Sequence, residues 1–338
     1  MEKALKVLKM DEYYLKIREL GKGGQGTIFL ARSLVEKKYV ALKVINPFIL
    51  AGIKPSIQND IRKSLIKNQN LEKYATEVQN LGKILKKLHL ESELLQKISS
   101  SPNCDKNIVC FYDDFLDFDT YYYVIVMQYI DGISLYEYKI ETDEMQRQFL
   151  NKMNTGLNKE KYKLVDWSDI GMILLKILVP TLKHMHENGV LHLDIKPENI
   201  MVDQEGNPII VDLGLSCNIL PRFSNICQIF DNFSSPCCKT KGFTIYYTPP
   251  EVFTQSVEFP SSDLWSLAAT IYMIVTGKNV WNLSNNVTVQ QARKLIPKLK
   301  PAKLNSSNQK LNFIINKMLS INIVERPTSH QIINFIYN

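Results

Sequence analysis

The run His192-Leu193-Asp194-Ile195-Lys196-Pro197-Glu198-Asn199, with Asp212-Leu213-Gly214 close behind it, constrains this chain more than any other stretch. It sets an acid, an ammonium and an amide within six residues, and a second acid soon after. Read as one unit, the set suits phosphoryl chemistry. Asp194 would accept a proton from a hydroxyl, and Lys196 would neutralise a transferring phosphoryl group. Asn199 and Asp212 would hold metal from opposite sides. A fold that uses this unit must bring four separated side chains to one place.

The pattern along the chain says what kind of fold that is. Tyr14 to Leu20 alternates, the loop Gly21-Lys22-Gly23-Gly24-Gln25-Gly26 follows, and Thr27 to Ala31 is extended again. Tyr39 to Ile45 is a further β-rich run, and Asn107 to Phe115 and Tyr121 to Tyr129 supply two more strands. Leu71, Tyr74, Ala75, Val78, Leu81, Leu85 and Leu88 recur at helical spacing, with an expected interruption at Gly82, and a helix-like run continues to Ile98. Beyond Asp131 the pattern turns helical: Trp167 to Asn188, Ser262 to Thr276, Val287 to Ile296, Leu311 to Leu319 and Thr328 to Ile336. At 338 residues there is enough chain for two lobes with their own cores.

At this point the sequence resembles the eukaryotic protein kinases, whose catalytic-loop and metal-binding signatures are those of the opening paragraph. The resemblance runs from about Tyr13 to the end of the chain. It implies an α+β, bilobal fold: an N-terminal extension over 1–12, a β-rich N-lobe with one regulatory helix over 13–130, and a larger α-helical C-lobe over 131–338. It also implies an ATP- and Mg2+-dependent serine/threonine kinase acting on protein hydroxyls. One rival is a nucleotide-binding pseudokinase scaffold, which usually lacks an equivalent of Lys43, Asp194, Asn199 or Asp212. The other is a small-molecule kinase of the same fold, which would lack Pro249-Pro250-Glu251 and the Arg326 motif. All of these residues are present.

By the same resemblance Gly21, Gly23 and Gly26 cradle triphosphate oxygens, because missing side chains let backbone N–H groups approach closely. A dinucleotide site shares that spacing but wants a helix at the last glycine, and Thr27-Ile28-Phe29-Leu30 looks like a strand. Lys43, within Val40-Ala41-Leu42-Lys43, matches the third-strand Lys that grips phosphates; an ammonium among apolar neighbours needs a partner. Glu91 is the expected partner, since Leu94, Leu95 and Ile98 then face the core; Glu93 is second and Glu77 third. Met127 falls at the gatekeeper position. Gln128 and Ile130 would bond adenine through main-chain groups, with Ile28, Ala41 and Met201 covering the ring. His192, Leu213, Leu95 and Phe111 occupy positions of the family's hydrophobic spine, which makes His192 structural. His184 and His186 read as helix-packing residues.

Further correspondences concern the segment after Asp212. Thr244 matches the Thr that bonds the catalytic Asp and Lys. Pro249-Pro250-Glu251 resembles the motif that closes the segment, Glu251 is expected to pair with Arg326, and Asp263 is expected to hold the loop backbone. Leu213 replaces the usual Phe. Leu193 replaces the usual Arg, which commonly reads a phosphorylated activation loop. Lys43 and Glu91 also lie farther apart than is usual, with a basic insertion at about 47–82 between them.

Composition narrows the partners. The net charge is +7, and residues 54–87 carry eight basic side chains against three acidic ones. That stretch suits a solvated helical face, and more sharply an acidic partner; nucleic acid is not the expected ligand. No apolar run approaches the roughly 20 residues of a membrane span, and Met1 to Lys6 lacks a signal-peptide core. Six cysteines are too few for a disulfide framework in this length, so a reduced, soluble intracellular protein is expected, in the cytoplasm or, for a viral source, the host cytoplasm. Cys217, Cys227, Cys237 and Cys238 lack a Cys-x-x-Cys pair and are expected to be free thiols rather than zinc ligands. No regulatory tail is expected after the last helix.

Overall fold

A computed structural model describes residues 5–23, 26–100, 104, 107–153, 165–219, 238–240, 242–284 and 286–338. The chain divides into two units, Met1–Ile130 and Asp131–Asn338. Together they make an α+β fold, as expected: a sheet-rich unit followed by a helical one.

The first unit is built on six strands: β1 (Val7–Leu8), β2 (Tyr14–Gly23), β3 (Gly26–Ser33), β4 (Tyr39–Ile45), β5 (Phe111–Asp117) and β6 (Tyr123–Gln128). Their order is β1-β5-β6-β4-β3-β2, antiparallel except for β1 beside β5. The period of two sends Val40, Leu42 and Val44 of β4 to one face. There they pack with Ala31, Phe115, Val124, Val126 and Met10. Ala41, Lys43 and Ile45 are left for the other face.

The long spacing before Glu91 holds two devices. An extra helix, α1 (Pro55–Lys67), starts with proline in its first turn and ends on Asn68 in the left-handed region (φ 51°). The next helix, α2 (Ala75–Ile98), is 24 residues long and runs unbroken through Gly82, so the expected interruption is absent. A single glycine costs a helix only about 1 kcal/mol, and packing on either side outweighs that. Nor is the insertion a surface appendage. Phe48, Ile53, Ile61, Tyr74 and Leu81 form a buried cluster, with Ile57, Leu65, Val78 and Leu85 packed against it. Lys54, Lys63, Lys67, Lys73, Lys83, Lys86 and Lys87 are exposed.

In the second unit the principal helices are α3 (Leu135–Met153), α4 (Trp167–Glu187), α5 (Pro260–Thr276), α6 (Gln309–Met318) and α7 (Ser329–Tyr337). Helix α4 packs on α5 and on α7, and α6 on α5. A Cβ at Gly171 of α4 would sit 3.0 Å from both Ile271 Cγ2 and Leu311 Cδ2, so a larger residue there would press on both neighbouring helices. Short strand pairs carry the loops. In one sheet β9 (Ile200–Asp203) lies between β7 (Gly132–Ser134) and β10 (Pro208–Ile210). Elsewhere β8 (Val190–Leu191) pairs with β11 (Cys217–Asn218), and β12 (Cys238–Lys239) with β13 (Val257–Glu258). No helix among the described residues is long and apolar enough to cross a membrane.

The cysteines depart from expectation. Cys104 pairs with Cys110 and Cys217 with Cys238 as disulfides, at Cα separations of 5.3 and 6.5 Å. The free-thiol reading therefore fails for Cys217 and Cys238, and the expectation of reduced cysteines fails for Cys104 and Cys110 as well; Cys227 and Cys237 lie outside the described residues. Spacing gave no sign of either pair, because strand pairing, not sequence distance, sets the second one.

Ile61 is fully buried in the insertion's cluster. Ile61→Ala should therefore lower unfolding free energy by about 2–5 kcal/mol in urea titration. A change near zero would mean that the insertion is a dispensable surface element.

Candidate active site

Strand register gathers the nucleotide-side candidates of the first unit. Ile28 lies opposite Lys43, Lys43 opposite Ile125, and Ala41 opposite Met127. Directly opposed residues share a face, so Ile28, Ala41, Lys43 and Met127 lie together on the face away from the Val40–Val44 core. The three described loop glycines differ in why they must be glycine. A Cβ at Gly26 would come 2.6 Å from the Val44 carbonyl oxygen, which is a packing constraint. At Gly21 and Gly23 a Cβ would meet nothing within 4 Å, which is open space that a ligand's oxygens can fill. Gly24 lies outside the described residues.

Lys43 is 6% exposed, and its Nζ donates to Glu91 Oε1 at 2.6 Å. Glu93 is exposed and 3.6 Å from His89, and Glu77 is half-buried. Helix α2 is held in register by a polar anchor that the sequence did not reveal. Ser92 Oγ lies 3.0 Å from Tyr123 Oη, and His89 Nδ1 lies 2.9 Å from Asp114 Oδ2. The Gln128 N–H is spent on the Cys110 carbonyl at 2.8 Å, so a base could address only the Gln128 carbonyl. Ile130 is half-buried at the end of the unit.

In the second unit, one buried carboxylate organises the loop that carries Asp194. Asp263 is fully buried on α5 and accepts from the backbone N–H of His192 (2.9 Å) and of Leu193 (2.8 Å). It also lies 2.8 Å from His186 Nε2. Burial alone would raise its pKa. The His186 hydrogen bond and charge and the Leu193 N–H outweigh that and hold the carboxyl below its ordinary value. Leu193 sits in the left-handed region (φ 68°), which costs a non-glycine residue about 1–2 kcal/mol. A hydrogen bond to a charged group contributes about 1.5–3 kcal/mol, enough to keep that turn. His192 is fully buried, with Nε2 on the Val211 carbonyl at 3.1 Å and Nδ1 accepting from Asp194 N–H at 3.2 Å. Both ring nitrogens are therefore committed to the backbone.

The polar cluster that results is tight. Lys196 Nζ donates to Asp194 Oδ2 at 2.7 Å and to Thr244 Oγ1 at 3.1 Å, and Thr244 Oγ1 donates to Asp194 Oδ1 at 2.8 Å. Asn199 Nδ2 donates to the backbone carbonyl and Oδ2 of Asp194, both at 2.9 Å. That leaves the Asn199 side-chain carbonyl as the group that could take a cation. Asp212 also has positive φ (63°), and its Oδ1 accepts from Gly214 N–H at 3.2 Å. Among the described residues no cluster of three or more His, Cys, Asp or Glu could hold a metal by itself. An amide and a single carboxylate suit Mg2+, which takes few protein ligands and completes its shell with phosphate oxygens and water. Met201, half-buried on β9, faces Ile209 across the strand pair.

The segment between Asp212 and Glu251 is clamped at its far end. Arg326 Nη1 and Nη2 donate to Glu251 Oε1 and Oε2, each at 2.7 Å, and Arg326 Nε donates to the Ser320 carbonyl at 2.8 Å. Its guanidinium lies 4.7 Å from the Trp265 ring centroid. Two residues here escaped the sequence reading. His186, expected as a helix-packing residue, meets Asp263 across 77 positions, a separation with no local signal. Glu258, buried on β13, has a carboxyl pushed up to about 8. Burial is the main cause; the Thr240 hydroxyl pulls the other way, and Asp263, Glu251 and Asp194 add to the rise.

The glycine turn between two strands and the buried Lys–Glu pair of the first unit, and the Asp–Lys–Thr–Asn cluster of the second, place side chains as the resemblance to the protein kinases implies. The family model for the protein kinase domain matches residues 14–337, and the chain belongs to that family. It is 26% identical over 283 residues to a probable serine/threonine-protein kinase of Dictyostelium discoideum, covering 80% of this chain and 48% of that protein. It is 25% identical over 279 residues to serine/threonine-protein kinase PKH2 of Saccharomyces cerevisiae, covering 82% and 20%. Against serine/threonine-protein kinase cds1 of Schizosaccharomyces pombe it is 26% identical over 324 residues, covering 94% and 56%. The chain thus spans between 20% and 56% of the length of these relatives.

The raised pKa of Glu258 has a definite sign. Stability lent by its neutral form is complete below the unfolded pKa of about 4.3 and is lost as pH rises through the folded value. Glu258→Gln should leave the thermal midpoint little changed near about pH 5 and raise it by several degrees near about pH 9. Equal effects at both pH values would show that Glu258 titrates normally.

Proposed function

We propose that this chain is an ATP- and Mg2+-dependent serine/threonine kinase that moves the γ-phosphoryl group of ATP to Ser or Thr hydroxyls of proteins. The observation that carries the proposal is the convergence of Lys196, Thr244 and Asn199 on Asp194, within 2.7–2.9 Å. In this reading Asp194 orients the acceptor hydroxyl and takes its proton. Lys196, already beside that carboxylate, offsets charge developing on the transferring group. Asn199 and Asp212 hold Mg2+, which supplies charge neutralisation at the phosphates when bound. Gly21, Gly23 and Gly26 let backbone N–H groups meet phosphate oxygens, and Glu91 keeps Lys43 extended to them. Ile28, Ala41 and Met201 give the adenine apolar contact, and Gln128 and Ile130 offer it main-chain groups. The names of the relatives support Ser/Thr rather than Tyr acceptors, as does the Lys196–Thr244 contact, which sets a shallow site that a short hydroxyl reaches. The exposed lysines of 54–87 are proposed to meet an acidic protein partner, and the compartment is proposed to be the cytoplasm.

Asp212→Asn changes one charge and little volume. It should reduce phosphorylation of a peptide library by about a hundredfold or more while the thermal midpoint stays near that of the parent. Lys43→Met should also remove activity, but it strands the Glu91 carboxylate in a buried site and should cost about 3–5 kcal/mol of stability in urea titration. Undiminished transfer by Asp212→Asn would overturn the kinase reading.

Phosphoamino-acid analysis of the autophosphorylated chain checks the acceptor. Phosphoserine and phosphothreonine are expected. Predominant phosphotyrosine would show that the Thr244 wall does not exclude the longer phenol.

A further inference from the structure

Leu193 stands where the resemblance leads one to expect an arginine that reads a loop phosphate, and its surroundings contain a different device. Its side chain is buried in a cluster with Leu191, Ile219, Cys217 and Cys238, against which Leu215 packs. Cys217 lies five residues after Asp212, on β11, which pairs with β8 just ahead of Leu193. Cys238 lies six residues before Thr244, on β12, which is paired to β13 and followed by a bond from Thr240 N–H to the Ser256 carbonyl at 3.0 Å. The disulfide between them therefore ties the beginning of the segment to the stretch that delivers Thr244 to Asp194 and Lys196. It does so while resting on the loop residue adjacent to Asp194.

We propose that Cys217 and Cys238 are a thiol–disulfide modification site, whose oxidation by a small-molecule disulfide fastens the Thr244 stretch against the Asp194 loop and raises phosphoryl-transfer activity. The inference rests on the kinase reading above. Chemically, the thiolate of one cysteine attacks the small disulfide and expels one thiolate. The second cysteine then attacks the mixed disulfide and expels the other. One protein S–S bond forms, two protein S–H bonds are lost, and two electrons with two protons pass to the small disulfide, which leaves as two thiols. Reduction by excess thiol runs the same exchange backwards. Both cysteines are 7% exposed, so exchange is expected to be slow and to need time for completion. An apolar side chain at 193 fits this arrangement where an arginine would not. A buried guanidinium beside a disulfide would lack a partner, whereas leucine completes the contact.

The experiment uses the 338-residue chain, equilibrated with dithiothreitol or with oxidised glutathione. Each sample is assayed by non-reducing peptide mass spectrometry, thermal unfolding and peptide phosphorylation with Mg-ATP. The oxidised sample should contain a linked Cys217–Cys238 peptide, unfold at higher temperature and be several-fold more active. Cys238→Ser should fix the low, thiol-insensitive state, and Cys104→Ser should retain the full response. Absence of the linked peptide, equal activity of oxidised and reduced chain, or a response that persists in Cys238→Ser would each overturn the proposal. Should no sample transfer phosphate, the kinase reading fails and so does the activation. The linked peptide and the thermal difference would then report the disulfide alone.

Discussion

The buried carboxylate of Asp263 is the constraint on which the second unit depends. It sits at the start of α5, beyond reach of solvent, and accepts two consecutive backbone N–H groups from a loop 70 residues earlier in the chain. That loop has to make a left-handed turn at Leu193 to bring Asp194 back toward Lys196 and Asn199. Without an acceptor, the two N–H groups would be buried and unpaired beside a non-glycine residue in the left-handed region. His186 compensates the carboxylate from α4, so a helix pair and a loop are fixed by one charge. The packing of α4 on α5 fixes that charge in place, and so the placement of the Asp194 cluster depends on the helical core beneath it.

The described ends of the segment that follows are anchored by different chemistry. At its far end the bidentate Glu251–Arg326 pair is buried and stacked on Trp265. At its near end the contact is apolar and covalent, through Leu193 and the Cys217–Cys238 pair. These are two different solutions to one problem. One is a charge pair and the other an apolar contact, and both act through side chains.

The first unit meets a related difficulty with Lys43. An ammonium on a strand whose neighbours are Leu42 and Val44 must be matched by a charge from elsewhere, and Glu91 supplies it from α2. The helix that carries Glu91 is unusually long, and its first turns would be unsupported if the inserted helix α1 did not cover them. The insertion and the extended helix therefore form one cooperative element, with the Phe48–Ile61–Leu81 cluster as its interior and the lysines as its outer face.

Much of this was legible in the chain itself. The strands around the glycine turn and the helices of the second unit follow from periodicity, whereas the roles expected of Lys43, Glu91, Thr244, Asp263 and the Glu251–Arg326 pair come from the resemblance to the protein kinases, carried by the local run from His192 to Asn199 and by Asp212. What sequence could not decide is what depends on meeting across distance. Helix α2 passes through Gly82 because packing outweighs a propensity cost of about 1 kcal/mol. The His186–Asp263 bond and the Tyr123–Ser92 anchor join residues with no periodic relation. The Glu258 carboxyl is pushed up mainly because the fold removes it from water, and further by acidic groups brought near it from elsewhere in the chain. Cys217 and Cys238, 21 positions apart, pair because two separate strand pairings bring their backbones to within 6.5 Å. Local pattern is written in neighbouring residues, whereas desolvation and convergence exist only once the chain has folded.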